Sequence, residues 1–117
     1  MIAELESPFA LASIRWRSAA EGGRRSGPPT ATVYAANCLF ADDPEVAGDA
    51  YFSVLVQKRS SDAEGVWSAA VDFLARDIAR PHVRVGVSFF VMEGPRAVAD
   101  AEITDLFDGA GSAAGPG

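Results

Sequence analysis

Apolar and polar residues alternate along most of this chain with a period of two residues, which is typical of β-strands with one buried face. In residues 9–18, Ala12 and Ile14 fall on one face, and Ser13 and Arg15 fall on the other. The same alternation predicts four further strands, over residues 32–40, 50–58, 87–92 and 97–107.

Turn-forming residues separate these segments. Residues 19–30 are rich in glycine and proline, residues 41–49 form an acidic turn, and residues 59–65 form a polar connection. Several strands bounded by turns predict an all-β sandwich or barrel. Residues 108–117 contain little that can bury apolar surface, so we expect a disordered tail after a single domain over residues 1–107.

The segment 67–80 is compatible with two structures. Val71, Leu74 and Ile78 recur at helical spacing, and a proline follows the segment, which together predict a helix. Apolar residues also alternate with polar ones from Trp67 to Ala75, as in a strand. The residues alone leave both interpretations open.

Composition narrows the class of protein. A chain of 117 residues with 49% hydrophobic residues suits one globular domain, and its formal net charge of -6 argues against nucleic-acid binding. Cys38 is the only cysteine, so an internal disulfide is excluded. The first residues lack the apolar run of a signal peptide, and no stretch approaches the ~20 apolar residues of a membrane helix. We therefore expect a cytoplasmic protein that does not bind membranes.

Two short motifs carry a family resemblance. Glu21-Gly22-Gly23-Arg24 follows the first predicted strand, and residues 86–98 read GVSFFVMEGPRAV. In this order and separation, they resemble the C-terminal (third) domain of elongation factor Tu, over residues 9–106. The resemblance implies a closed six-stranded antiparallel β-barrel in which residues 67–75 form a strand.

The chain departs from that family at positions facing the T-arm of tRNA. Residues 34–37 read YAAN where the family has Gly-Tyr-Arg-Pro-Gln, so an arginine and a proline are missing. Pro95 and Ala97 stand where glycine and threonine are usual. Because no phosphate-binding loop of the GTPase type is present, we expect no nucleotide. The resemblance therefore implies the fold and not the tRNA-binding role.

Arginines near the first motif form one candidate site. Arg15 and Arg17 share a strand face, and Arg24 and Arg25 follow in the next loop. Four guanidinium groups can form a patch for RNA or an acidic partner. Alternatively, the glycines set the turn, Arg24 pairs with a carboxylate, and the strand face is simply solvated.

An apolar outer face is the second candidate site. The strand 87–92 is apolar on both sides, with Phe90 and Met92 facing away from Phe89 and Val91. An exposed apolar patch marks an interface. We therefore predict a non-catalytic binding module that contacts a protein partner or itself. Its tentative binding residues are Glu21, Gly22, Gly23, Arg24, Arg25, Arg15, Arg17, Phe90, Met92 and Arg96.

Two alternative functions follow from the same residues: a translation-linked RNA or tRNA binder using the arginines, and a small enzyme using Cys38 and His82. Cys38 lies on an apolar strand face, which favours a buried inert thiol, and His82 has no second histidine near it. We expect no catalytic residue, no cofactor and no metal site. The acidic turn lacks the spacing of a calcium loop; its carboxylates are Asp42, Asp43, Glu45 and Asp49.

Overall fold

The computed structural model of the protein describes Leu5, residues 7–40 and residues 51–107. All strand pairs are antiparallel, and the strands close into a barrel in the order β1-β4-β3-β2-β5-β6. The prediction of a closed six-stranded antiparallel barrel is confirmed. The strands are β1 (Ala10–Trp16), β2 (Tyr34–Leu39), β3 (Tyr51–Ser61), β4 (Trp67–Phe73), β5 (Ser88–Glu93) and β6 (Arg96–Leu106).

The alternating residues fill the inside of the barrel. Ala10, Ala12 and Ile14 of β1 are fully buried, as the period of two predicts. Small alanines on β1 and β6 leave room in the core for phenylalanine rings. The rings of Phe9 and Phe73 pack edge-on, with their centroids 5.8 Å apart. Side chains thus fill a barrel of this strand number completely.

The ambiguous segment contains both kinds of structure. Trp67, Ala69 and Val71 of β4 point into the core, so the barrel strand implied by the family resemblance is present. Helical structure is limited to α1 (Arg76–Ala79) and a 3₁₀ turn, Arg80–His82. Burial of an inner face over seven residues outweighs helix propensity here.

The β3–β4 connection is shorter than predicted, because β3 runs on to Ser61. A bulge between Lys58 and Ser60 lets the ladder continue beyond the predicted end of the strand. The Lys58 ammonium lies 5.5 Å from the ring centroid of Trp67. The turn itself begins at Asp62, whose carboxylate accepts hydrogen bonds from two backbone amides of the turn.

The acidic turn at 41–49 and the tail at 108–117 lie outside the described residues. So do seven of the sixteen carboxylates, whereas all ten lysines and arginines lie within the described residues. The described residues therefore contain nine carboxylates and ten lysines and arginines. Within the described residues, no helix is long and apolar enough to span a membrane.

Candidate binding surfaces

The Glu21–Arg24 motif forms a compact loop at the end of β1. Ser18 and Glu21 form a reciprocal capping box: the Ser18 amide donates to Glu21 Oε1 at 2.8 Å, and the Glu21 amide donates to Ser18 Oγ at 3.2 Å. The backbone hydrogen bond from Ser18 is the main cause that lowers the pKa of Glu21. Residues Ala19–Glu21 form a 3₁₀ turn within this loop, and Gly22 ends that turn with a left-handed φ of 92°.

Glycine is required at position 23 because a side chain would clash with neighbouring backbone, and not because of the backbone dihedral angles. Its amide donates to Ser18 O at 2.8 Å, which draws the loop back onto the end of β1. A Cβ atom at this position would lie 2.0 Å from Arg17 O, far inside van der Waals contact. The second glycine of the motif therefore allows two stretches of backbone to touch.

Replacing these two glycines separates the two roles. We expect Gly23→Ala to lower the free energy of unfolding by about 2–3 kcal/mol, because backbone atoms must move. Gly22→Ala, where open space surrounds the new methyl group, should cost only about 1 kcal/mol from the left-handed φ. Urea unfolding of both variants measures the difference, and equal losses would contradict this account.

Arg24 joins the two sequence motifs. Its Nε donates to Glu93 Oε2 at 2.8 Å, across 69 positions of sequence, and its NH1 donates to Gly27 O at 2.5 Å. The Tyr34 hydroxyl donates to the same Glu93 oxygen, and the Arg24 guanidinium lies 5.4 Å from the centroid of the Tyr34 ring. Burial, followed by the hydrogen bond to Glu93, raises the pKa of Tyr34.

This cluster of Arg24, Tyr34 and Glu93 lies where the barrel is least supported by backbone pairing. β2 pairs with β3 along all six of its residues, but it pairs with β5 only at residues 37–39. Tyr34 belongs to the half of β2 that lacks a β5 partner, and Glu93 is the last residue of β5. Side-chain bonds therefore close the β2–β5 seam where strand pairing stops.

A double-mutant cycle tests the pair. Arg24→Gln and Glu93→Gln should each destabilise the fold, and the two should couple by about 1 kcal/mol, because both side chains are only partly exposed. Arg25→Gln is the matched control and should change stability by less than about 0.5 kcal/mol, since Arg25 is exposed. Additive losses in urea unfolding would refute the closure of the seam by this pair.

Arg15 and Arg17 share one carboxylate on the neighbouring strand. Arg17 donates two hydrogen bonds to Asp100, at 2.9 and 2.7 Å, and Arg15 donates one at 3.1 Å. The bond from Arg17 is the main cause that lowers the pKa of Asp100. Arg15 also lies 3.5 Å from a Glu21 carboxylate oxygen. These bonds tie β1 to β6 on the outer surface.

The predicted arginine patch is thus largely neutralised. Arg15, Arg17 and Arg24 each form an ion pair with a carboxylate, as the alternative interpretation of the motif anticipated for Arg24. Of the four, only Arg25 lacks an ion pair with another described residue. The geometry assigns these arginines to holding strands together, and phosphate binding by them stays a prediction.

The expected exposed face at Phe90 and Met92 is covered instead. Met92 is only 3% exposed, and Phe90 is half-buried beneath the Arg17 guanidinium, which lies 5.9 Å from its ring centroid. Phe89 and Val91 point into the core, so the two faces of the strand are as predicted. The predicted direction of these side chains is therefore right, but their predicted exposure is wrong, because neighbouring side chains cover the outer face of β5.

A shallow groove of about 440 Å³ runs over the outer face of β2. Small exposed residues, Ala35 and Asn37, form its floor. Ser53 and Leu55 of β3 flank one side together with Leu74, whose amide donates to Ser53 O at 3.1 Å. The other side is formed by Met92, Glu93 and Gly94.

Leu74 projects from one wall of the groove, and Arg96 lies on β6, two residues after Gly94 of the other wall. The Leu74 side chain is 66% exposed. Arg96 is exposed and lies opposite Glu93 in the β5–β6 ladder. Sequence patterning missed the exposure of Leu74 because both interpretations of residues 67–80, helix and strand, counted this residue among the apolar positions of the segment. No sequence motif marks the groove, because it forms where small residues of one segment lie between larger residues of two others.

Cys38 and His82 do not form a catalytic arrangement. Cys38 is fully buried on β2, and burial raises the pKa of its thiol, which disfavours the reactive thiolate. His82 is exposed and stacks on the Phe40 ring with centroids 5.6 Å apart. Among the described residues, no group of three or more histidine, cysteine or carboxylate side chains could hold a metal ion.

Comparison with known proteins adds no family name. No protein-family model matches the chain, and no curated protein matches it. The resemblance to the third domain of elongation factor Tu therefore stays a prediction from the two motifs.

Proposed function

We propose that this chain is a non-catalytic binding module with a barrel of the elongation factor Tu third-domain type, and that it contacts a protein through the groove over β2. The observation that carries the proposal is the groove itself. The floor of the groove consists of small side chains. Buried Leu55 and Met92 border this floor on its two sides, and Leu74 protrudes beside Leu55. Concave apolar surfaces beside exposed apolar side chains are typical of protein interfaces.

The state of the titratable groups supports a role without catalysis. A nucleophile needs an accessible, activated side chain with a base in reach. Cys38 is buried with its thiol pKa raised, and the Tyr34 hydroxyl is bonded to Glu93 with its pKa raised as well. Both groups are thereby held in their protonated, unreactive forms.

An RNA-binding role remains the second candidate, favoured by one observation. Arg25 is exposed and has no ion pair with another described residue, so its guanidinium is available to a phosphate. The ion pairs of Arg15, Arg17 and Arg24 weigh against it, since phosphate contacts need uncompensated cations.

A capture experiment tests the protein-binding proposal. The tagged chain is mixed with native lysate and with an untagged second copy, and retained protein and RNA are identified. Ala35→Arg places a long charged side chain on the exposed groove floor, so we expect it to lower retention of the bound protein by about tenfold.

Ser88→Arg is the matched control, because Ser88 is an exposed small residue on β5, outside this groove. It should retain protein as the original chain does. The proposal fails if the original chain retains no protein above the tag alone, or if the two arginine variants behave alike. Salt-sensitive retention of RNA instead of protein would favour the second candidate.

A further inference from the structure

We infer that the open edge at the end of β3 is a second docking site, and that its occupant is an acidic, extended segment of another protein, which pairs with the edge as an added strand. This site, residues 57–61, is the β3 edge. It is separate from the groove over β2, because none of its residues lines that groove. Two features of the β3 edge support the inference: strand pairing on one side only, and cations without carboxylate partners.

β3 extends beyond the strand that pairs with it on one side. It pairs with β4 from Val54 to Ser61, but it pairs with β2 only as far as Val56. Among the described residues, the β3 edge therefore has a strand partner on the β4 side alone. Because the N–H and C=O groups of a strand point alternately to its two sides, part of those in the β3 edge point to the open side. Unpaired groups in such a row are a template for another strand.

The neighbouring chain segments leave this place beside β3 open. β2 begins at Tyr34, and residues 30–32 before it are exposed and belong to no strand. The amide of Leu5 donates to the side chain of Gln57 at 2.9 Å, and not to the backbone of the edge. An added segment can therefore continue the line of β2 along β3.

The β3 edge carries two cations that no described carboxylate neutralises. Lys58 and Arg59 are exposed, and neither has an ion pair with another described residue. Each lies over an aromatic ring instead: the Lys58 ammonium is 5.5 Å from the ring centroid of Trp67, and the Arg59 guanidinium is 5.9 Å from that of Phe107. A ring face attracts a cation without cancelling its charge. Both charges are therefore held beside the edge and remain available to a partner.

These charges decide between a second copy of the chain and an acidic segment. A second copy that pairs through the same edge by a two-fold axis sets Lys58 and Arg59 against the same two residues of the other copy. Like charges opposite one another on paired strands are destabilising, whereas opposite charges are favourable. Glutamate or aspartate side chains on the added strand meet the favourable condition, and the exposed hydroxyls of Ser60 and Ser61 can donate to carboxylates as well.

The local shape of the edge adds to its selectivity. Lysine and a β-bulge on an edge strand discourage indiscriminate strand pairing, and the β3 edge has Lys58 and a bulge between Lys58 and Ser60. The charges repel basic strands, and the bulge disfavours long, flat ones. The carboxylates that follow in sequence belong to the turn, where Asp62 accepts hydrogen bonds from backbone amides. A short acidic segment is thus the strand that this edge accepts best.

Titration of the full chain with a synthetic peptide of alternating glutamate and threonine tests the inference. Amide NMR signals follow binding residue by residue, and we expect shifted signals and slowed hydrogen exchange at residues 57–61. A peptide of alternating lysine and threonine should bind at least about tenfold more weakly, because its charges are repelled. The acidic peptide with methylated amide nitrogens should lose binding to a similar extent, because it cannot donate to the edge.

Reversal of the charges on the edge gives the matched test in the protein. Lys58→Glu with Arg59→Glu should weaken binding of the acidic peptide at least about tenfold and should create binding of the lysine peptide. Arg25→Glu with Arg84→Glu is the control, because it changes the net charge equally at two exposed cations outside the β3 edge. The control should keep the affinity of the original chain within about twofold at physiological salt. If a variant fails to fold, the three peptides on the original chain still decide.

Several results would overturn the inference. These are an acidic peptide that does not bind, lysine or methylated peptides that bind equally well, and shifted signals that lie away from residues 57–61. A reversible dimer whose interface maps to the β3 edge would make a second copy the occupant and overturn it as well. Ala35→Arg, in the groove over β2, should leave binding of the acidic peptide unchanged, so this inference and the proposed function fail separately.

Discussion

The β2–β5 seam is the constraint on which this barrel depends. In a closed barrel every strand must pair with a neighbour on both sides, and here β2 and β5 share only three residue pairs. The Arg24–Glu93 ion pair and the Tyr34 hydroxyl complete the closure beyond those pairs. Loss of this cluster would turn part of β2 into an open strand edge, which proteins normally protect.

The seam explains why the two sequence motifs occur together. Arg24 belongs to the first motif and Glu93 to the second, and neither side chain has its main partner within its own motif. Gly22 and Gly23 position Arg24 by turning the loop tightly against β1, and Gly94, with a φ of 62°, turns the chain directly after Glu93. Each motif thus supplies one partner of the ion pair that joins β2 and β5.

Because the arginines stabilise the fold, we look for a binding function on another surface. Arginines committed to carboxylates stabilise strands, and the apolar pair Phe90 and Met92 is covered by its neighbours. The groove over β2, with the exposed Leu74 at its wall, is the surface that we propose for a partner. The short β2–β5 ladder and this groove involve the same strand.

Sequence patterning predicts much of the fold because the period of two is clear in β1, β2, β3 and β6. It places Ala12, Ile14 and Phe89 in the core correctly. It leaves helix and strand open over residues 67–80 and ends β3 too early, since neither a bulge nor a four-residue helix has a distinct period. The motif pair was necessary to predict closure of the barrel.

The candidate sites were harder to predict, because exposure depends on packing between distant segments. Met92 alternates as an outward residue, yet it is only 3% exposed in the folded barrel. Asp100 is an ordinary acidic position in sequence and becomes the shared partner of two arginines only when β6 pairs with β1. Contacts of this kind follow from register, which a single sequence does not contain.

Amide hydrogen exchange of the Arg24→Gln variant under native conditions tests the central claim most directly. If Arg24 closes the seam, exchange should accelerate selectively at the paired residues of β2 and β5, Asn37–Leu39 and Phe90–Met92. The β1–β4 ladder should keep the exchange rates of the original chain. A uniform acceleration over all six strands, or none at the seam, would contradict this account.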